Sequence, residues 1–333
     1  RSVDDIRSFL NPDYARDTHN PFLLRNMDKA VQRIVDAIKS DETLLVFSDY
    51  DADGVCGAAI LTEFFNSIGK KILLHIPNRL KDPYGLTEDK IQEFIQRGVK
   101  VLITIDCGVT DEKEIGIAQQ HGIDVIVIDH HIVPPRWPVA FAIVDHKQEN
   151  ETYPEHVLCG AGLAYKLVQA LGERLPSYRQ GCEKWSLDLV AIATIADMVP
   201  LVGENRTFVS YGLRVLRKLQ RNGIASMIEQ LQLRPGDINE ETVGFTIAPR
   251  INAASRMEHA LLAFNLLMAR NIIEAKQLAR QLESKNLEMK FAVERIIKEI
   301  EEIFSSKEKL ENVIFEGSLN WSAGVLGIAA NRL

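Results

Sequence analysis

The sequence predicts an α/β protein: a parallel sheet with helices on both faces, then a helical segment, a long linking helix and the start of a second α/β unit. Three observations carry this reading. Short apolar, β-rich runs alternate with helical patterns through the first half, which implies right-handed strand–helix–strand crossovers. The runs are almost continuously apolar, as strands buried on both faces of a parallel sheet are. From Gly160 to about Met268 the pattern turns mostly helical.

In chain order, the strands are read at 44–47, 72–76, 101–105, 125–128 and 140–144, with helices at 55–68, 87–97 and 111–121 between them. Residues 274–304 place Leu278, Leu282, Met289, Val293, Ile296, Ile300 and Ile303 at spacings of three and four apart from one gap. That spacing predicts one amphipathic helix, roughly 45 Å long at 1.5 Å per residue. It reads equally as a strut to a second domain or as a helix packed lengthwise on its own. After Ser305-Ser306-Lys307, the run Val313-Ile314-Phe315 predicts a new strand, and the chain stops at Leu333 in what reads as mid-domain.

Composition narrows the function classes. The 333 residues carry 39 basic and 46 acidic side chains, a formal charge of −7, with 46% hydrophobic and 26% charged residues. These values suit a globular chain and exclude a disordered or fibrous one, and the length suits two domains. No apolar run approaches the ~20 residues that span a bilayer. The opening Arg1-Ser2-Val3-Asp4-Asp5 does not read as a signal peptide, so no membrane association is expected. With no initiator Met, the numbering is expected to start inside a longer product. The four cysteines, Cys56, Cys107, Cys159 and Cys182, form no CxxC pair. A zinc ribbon or thioredoxin-type site is therefore not expected; buried thiols in a reducing cytosol are. Net negative charge argues against broad coating of a nucleic-acid duplex but leaves room for a local basic groove. No GxGxxG follows the first strand, which removes a dinucleotide-binding oxidoreductase.

The chemistry lies in where the acids fall. Asp49, Asp51 and Asp53 follow the first strand, with Gly54 ending the turn; Asp106 follows the third, and Asp129-His130-His131 the fourth. Open parallel sheets bind ligands at the carboxyl ends of their strands, near a topological switch point. Three strands thus deliver carboxylates and imidazoles to one edge. Asp197 ends the apolar stretch 189–196, where an ionised carboxylate is costly to bury without a cation or donors. Any one of these acids is more readily a strand-end or helix-cap residue; the whole set, with a His-His pair, is not. Crowded carboxylates repel unless a cation neutralises them. Oxygen ligands mixed with imidazole suit Mn²⁺, or Mg²⁺, better than Ca²⁺ or a structural zinc. Four carboxylates and a His can hold two such ions, which can clamp an in-line phosphoryl displacement and activate water.

Motifs then carry a resemblance. SDYDADG (48–54), TIDCGVTD (104–111), IVIDHH (126–131) and ATIADMVPL (193–201) resemble, in order, the four motifs of the DHH phosphoesterase superfamily. IPNRLKDPYGL (76–86), CGAGLAYKL (159–167), APRINAASRM (248–257) and WSAGVLGIAANRL (321–333) are similar to its bacterial RecJ branch, and the resemblance covers 44–333. It implies a DHH-type sheet and a metal-dependent 5′→3′ exonuclease on single-stranded DNA, acting in DNA repair and recombination. It further implies one or two Mn²⁺ or Mg²⁺ ions, held by Asp51, Asp53, Asp106, His130 and Asp197, with Asp106 between them. Asp129 is implied to orient an imidazole, Asp49 to support the metals, and His131 to touch the scissile phosphate or assist proton transfer. Arg250 and Asn252 match a segment that approaches the substrate backbone, while Arg79 and Arg256 read equally as phosphate contacts or structural ion pairs.

The same resemblance implies a catalytic domain at 1–268 with a helical C-terminal part, a connecting helix at 269–306, and at 307–333 the truncated start of a DHH-associated substrate-binding domain. Implied partners are a single strand with a 5′ end, a single-strand-binding protein and a helicase, with the protein a cytoplasmic monomer. The sequence departs from the family at Ser48 and Ser255, commonly Gly, and at Trp321-Ser322-Ala323-Gly324, where many members have Trp-His-Pro-Gly. On this resemblance it is expected to stop before the family's Gly-rich DNA-gripping segment and its oligonucleotide-binding domain. Two alternatives stand beside this reading. One is a DHH enzyme on short oligonucleotides, cyclic dinucleotides or pyrophosphate. The other, a silent replication scaffold, is disfavoured because the ligand positions are intact.

Overall fold

The computed structural model describes residues 3–132, 134–305, 313 and 315–333. Its centre is a five-stranded parallel sheet in the order β2-β1-β3-β4-β5. The strands are β1 (Thr43–Ser48), β2 (Leu73–His75), β3 (Val99–Ile105), β4 (Asp124–Ile128) and β5 (Ala142–Val144). All five expected strands form; the second and fifth are shorter than their apolar runs, and both are edge strands paired on one side only. The chain leaves β1 for β2 on one side and returns to β3 on the other. The switch point therefore lies between β1 and β3, which pair from Leu44↔Val101 to Ser48↔Ile105. A crevice opens outside the carboxyl ends at such a point.

Side chains alternate across the sheet as a two-residue period requires. Val46, Ile103, Ile105, Ile126 and Val144 face one core, with helices Met27–Lys39, Ala52–Ser67 and Gly160–Arg174. Leu45, Phe47, Leu102, Val125 and Ile143 face the other, with helices Glu88–Gln96 and Glu112–Gln120. The first core continues into the helical segment, where helix Leu187–Ala196 is almost wholly buried and ends at Asp197.

The long helix runs Ile272–Ser305, 34 residues, about 50 Å at the standard rise. It packs against two hydrophobic clusters. Ala279 and Leu282 pack on the main core, whereas Met289, Val293, Ile296 and Ile300 join Val325 and Ala329 in a separate small core. The strand expected at 313–315 is not borne out: Val313 sits in a bend and Phe315 in no regular structure, while Ile314 lies outside the described residues. Short helical turns follow instead, Ala323–Val325 and Leu326–Ala330. Cys56, Cys107 and Cys159 are buried as expected, but Cys182 is exposed at the start of a short 3-10 turn. Among the described residues, no helix is long and apolar enough to cross a membrane.

Candidate metal centre

The acids that follow the strands are held by the sheet itself. The Asp49 amide donates to the Ile105 carbonyl (3.1 Å), that of Asp106 to Ile128 (2.9 Å), and that of Asp129 to Val144 (3.2 Å). Each extends the ladder past its strand and brings a carboxylate level with the switch-point crevice. Asp106 does so with φ +60°, a left-handed conformation that costs a non-glycine residue about 1 kcal/mol or more and collects at functional sites.

The turn after β1 is closed by its own carboxylate. Asp51 caps helix Ala52–Ser67, its Oδ1 accepting from the amides of Asp53 (2.8 Å) and Gly54 (3.2 Å). A Cβ on Gly54 would lie 2.4 Å from the Asp49 carbonyl oxygen, so only glycine lets this turn close. Asp53 points inward, where its oxygens accept from the Gly160 amide (2.6 Å) and the Ala161 amide (2.7 Å). Those are the first amides of helix Gly160–Arg174, and a helix N-terminus favours negative charge.

The imidazoles meet these acids differently. His130 Nε2 stands 2.9 Å from Asp106 Oδ1 and 3.6 Å from Asp53 Oδ2, and its Nδ1 is 3.8 Å from Asp197 Oδ2. His131 turns to Asp129: Nδ1 lies 2.7 Å from Oδ1, which also accepts from the backbone amides of His130 and His131. Asp129 Oδ2 accepts from the Val109 amide at 3.0 Å. Ligand atoms gather within 4.8 Å of one another in three sets: Asp106, His130 and His131; Asp53, His130 and Asp197; Asp49, Asp51 and Asp106. Asp106 and His130 are shared between sets, so two ions could sit side by side with Asp106 common to both. His131 and Asp197 are the more exposed members, and the site opens on their side.

Electrostatics make the centre a receptor for positive charge. Burial, then Asp51, pushes Asp49 up to about 7. Burial, Asp51 and Asp197 push Asp53 up to about 8. Asp106 is driven well above the carboxylate range by burial and its acidic neighbours, and Asp197 rises to about 6 by burial and Asp51. Burial and His131 hold His130 down at about 4, leaving a neutral imidazole with a lone pair to give. His131 is raised, first by its hydrogen bond to Asp129. Burial alone would raise Asp129, yet His131 and the Val109 amide hold it below its usual value. Crowded carboxylates with a neutral imidazole are a donor set short of cation, and hard divalent ions such as Mn²⁺ or Mg²⁺ fit it.

Two guanidiniums flank this edge. Arg79 lies over the Tyr50 ring, 4.9 Å from its centroid. Arg256 is held below its ordinary value by burial and then by the charge of Arg79, with Asp51 and Tyr50 opposing. Its Nη1 donates to the Gly324 carbonyl at 2.8 Å. Among the described residues neither Arg79 nor Arg256 forms an ion pair with a carboxylate, so the structural ion pair offered for them is not what the fold makes. Arg250 and Asn252, the residues expected to approach the substrate, both make hydrogen bonds within the chain. Arg250 is buried, clasps Glu283 of the long helix with two nitrogens, and gives Nη1 to the Thr246 carbonyl at 2.7 Å. Asn252 Oδ1 accepts from the Ala52 amide at 2.8 Å, inside the ligand turn.

Two features escaped the sequence reading. Gly160 and Ala161 act through backbone amides, which no side-chain pattern announces. Asp145-His146 follows β5 as Asp129-His130 follows β4, and both are buried beside the site; burial pushes Asp145 up to about 7. The signal, an Asp-His pair after an apolar run, was present in the sequence.

A parallel sheet with Asp-x-Asp, Asp and Asp-His-His at three neighbouring strand ends defines a DHH-type protein, and residues 43–194 match the DHH family, N-terminal domain. The single-stranded-DNA-specific exonuclease RecJ of Bacillus subtilis is 37% identical over 332 residues, 100% of this chain and 41% of the relative. That of Escherichia coli is 30% identical, covering 93% of this chain and 56% of the relative. A crystal structure of exonuclease RecJ bound to manganese superposes with TM-score 0.84 at 30% identity, covering 93% of this chain and 77% of that one. RecJ of Thermus thermophilus in complex with Mn²⁺ gives 0.80 at 29% identity, over 93% of this chain and 44% of that one. The chain belongs to the RecJ family. It spans about half the length of the curated relatives it matches.

Proposed function

We propose that this chain hydrolyses phosphodiester bonds of single-stranded DNA from a 5′ end, as a Mn²⁺- or Mg²⁺-dependent exonuclease of DNA repair and recombination. The observation that carries the reading is the convergence of Asp51, Asp53, Asp106, His130 and Asp197 at the switch point, in a chain that shares its fold with a RecJ structure bound to manganese. These residues would hold one or two ions, which supply Lewis acidity at the phosphoryl group and activate water for in-line attack. Asp49 supports the turn that carries Asp51 and Asp53. His131, with Nδ1 turned to Asp129, presents Nε2 towards the open side and holds a proton there for the phosphate or the leaving oxygen. Arg79 and Arg256 grip backbone phosphate, for which a guanidinium offers two parallel donors.

On this reading the catalytic unit is 1–268, the connector 269–306 and a substrate-binding unit begins at 307–333. The protein acts as a cytoplasmic monomer, with a helicase and a single-strand-binding protein presenting the strand. The test is degradation of 5′- and 3′-labelled single strands with Mn²⁺ or EDTA. Mononucleotides released first from the 5′ end, and none in EDTA, are expected. Cleavage confined to short oligonucleotides or cyclic dinucleotides would overturn the substrate assignment, and activity in EDTA the metal.

A further inference from the structure

Helix Ala248–Met257 reaches the metal centre without giving it a ligand. Its Asn252 crosses 200 residues of sequence to accept a hydrogen bond from the Ala52 amide, Oδ1 to N 2.8 Å. Ala52 lies between Asp51 and Asp53 and is the first residue of its helix. The first amides of a helix have no partner within it. Asp51 Oδ1 takes those of Asp53 and Gly54, so the Ala52 amide is the donor this turn leaves unsatisfied. Ala52 is 1% exposed, and a buried amide without an acceptor is costly. Asn252 thus supplies a hydrogen bond that the Asp51 cap does not provide.

The helix that carries Asn252 is itself fixed. Arg250 clasps Glu283 of the long helix, and Arg256 donates to the Gly324 carbonyl at 2.8 Å. At Gly324 the two segments are in close contact, since a Cβ there would fall 2.6 Å from the Arg256 carbonyl oxygen. Just beyond the helix, the Glu258 carbonyl accepts from Asn78 Nδ2 at 3.2 Å. Asn252 therefore stands on a body anchored on several sides, and the turn it holds inherits that position.

We infer that Asn252 is a positioning residue of the metal centre: it holds the Asp51–Asp53 turn in ligating geometry through the Ala52 amide, and it does not act on the substrate. The inference rests on the metal-dependent reading above. Partners one step removed from a metal typically change affinity about 10–100-fold when lost.

The experiment is calorimetry of Mn²⁺ binding to the wild-type chain, Asn252→Ala and Asn252→Asp, with single-strand turnover alongside. Asn252→Ala should weaken Mn²⁺ binding about 10–100-fold, lower kcat at limiting Mn²⁺, recover in excess Mn²⁺, and leave KM for the strand unchanged. Asn252→Asp keeps an acceptor oxygen at the same reach and should bind Mn²⁺ close to wild type; binding as weak as in Asn252→Ala overturns the inference. Unchanged Mn²⁺ affinity in Asn252→Ala, with or without a raised KM, overturns the inference. Amide exchange in the wild type gives a second readout that needs no variant: the Ala52 amide should be protected, and exchange at the rate of an unstructured amide overturns the inference. A wild-type chain that binds no Mn²⁺ at all would instead sink the metal-dependent reading.

Discussion

His131 Nδ1 lies 2.7 Å from Asp129 Oδ1, a carboxylate two residues back, while the adjacent His130 turns its Nε2 to Asp106 at 2.9 Å. Adjacent imidazoles are thus divided between two buried acids, and of the two rings His131 is the one exposed at the open side. His131→Ala should keep Mn²⁺ binding and lose turnover by about 10²–10⁴, the usual contribution of a general acid–base group. His130→Ala should weaken Mn²⁺ binding, and excess Mn²⁺ should return part of its activity. Calorimetry with single-turnover rates separates them, and the reverse pattern would exchange the roles.

Without metal, the acidic centre should make stability fall as pH rises. Asp49 and Asp53, raised from 3.8 to about 7 and about 8 in the folded state, bind more protons folded than unfolded in this range. Stability then has a negative slope with pH: their contribution is present at low pH and lost as pH climbs through the folded values. His130, lowered from 6.5 to about 4, acts with the opposite sign but only below its unfolded value of 6.5. The clear window is therefore about pH 6.5 to 8. Melting in EDTA should drop across it, and saturating Mn²⁺ should remove the drop. A flat or rising melting temperature in EDTA would contradict the electrostatic account.

Arg250 should behave as a structural residue. Arg250→Ala leaves Glu283 facing an emptied site, and breaking such a pair should cost about 1–3 kcal/mol, discounted because Glu283 is partly exposed. Denaturant melts should report that loss. KM for single strands, measured where the variant is folded, should not move; a raised KM at unchanged stability would return Arg250 to the substrate.

Gly160→Ala should damage the centre without touching a ligand. The new Cβ would lie 2.7 Å from the Asp106 Cβ, so helix Gly160–Arg174 must withdraw and Asp53 loses its amide donors. Weakened Mn²⁺ binding with intact far-ultraviolet circular dichroism is expected. Unchanged affinity would mean the helix yields elsewhere.

Most of the sheet and most of the acids were legible in the sequence because both signals are local. A buried parallel strand must be apolar at successive positions, and a turn at its carboxyl end must be polar, so Asp49, Asp106 and Asp129 stand out at the ends of their runs. The same logic failed where edge or tertiary packing decides: 313–315 is apolar enough for a strand, yet Val313 and Phe315 are not in one. Arg250 and Asn252 match a substrate-approaching segment by local sequence alone, while the hydrogen bonds each makes depend on partners elsewhere in the chain.

The sequence by itself determined the α/β alternation, the acids at the strand ends and the long amphipathic helix, since each follows from residue type and spacing within a few turns of chain. Only the tertiary structure decided that β1 and β3 are neighbours, which puts Asp49 beside Asp106. It alone showed that the imidazole Asp129 holds is His131, and gave Asn252 to Ala52 and Arg250 to Glu283. The physical reason is range. Apolar periodicity is written along the chain, whereas a hydrogen bond between residues 200 positions apart exists only once the sheet and its helices have packed.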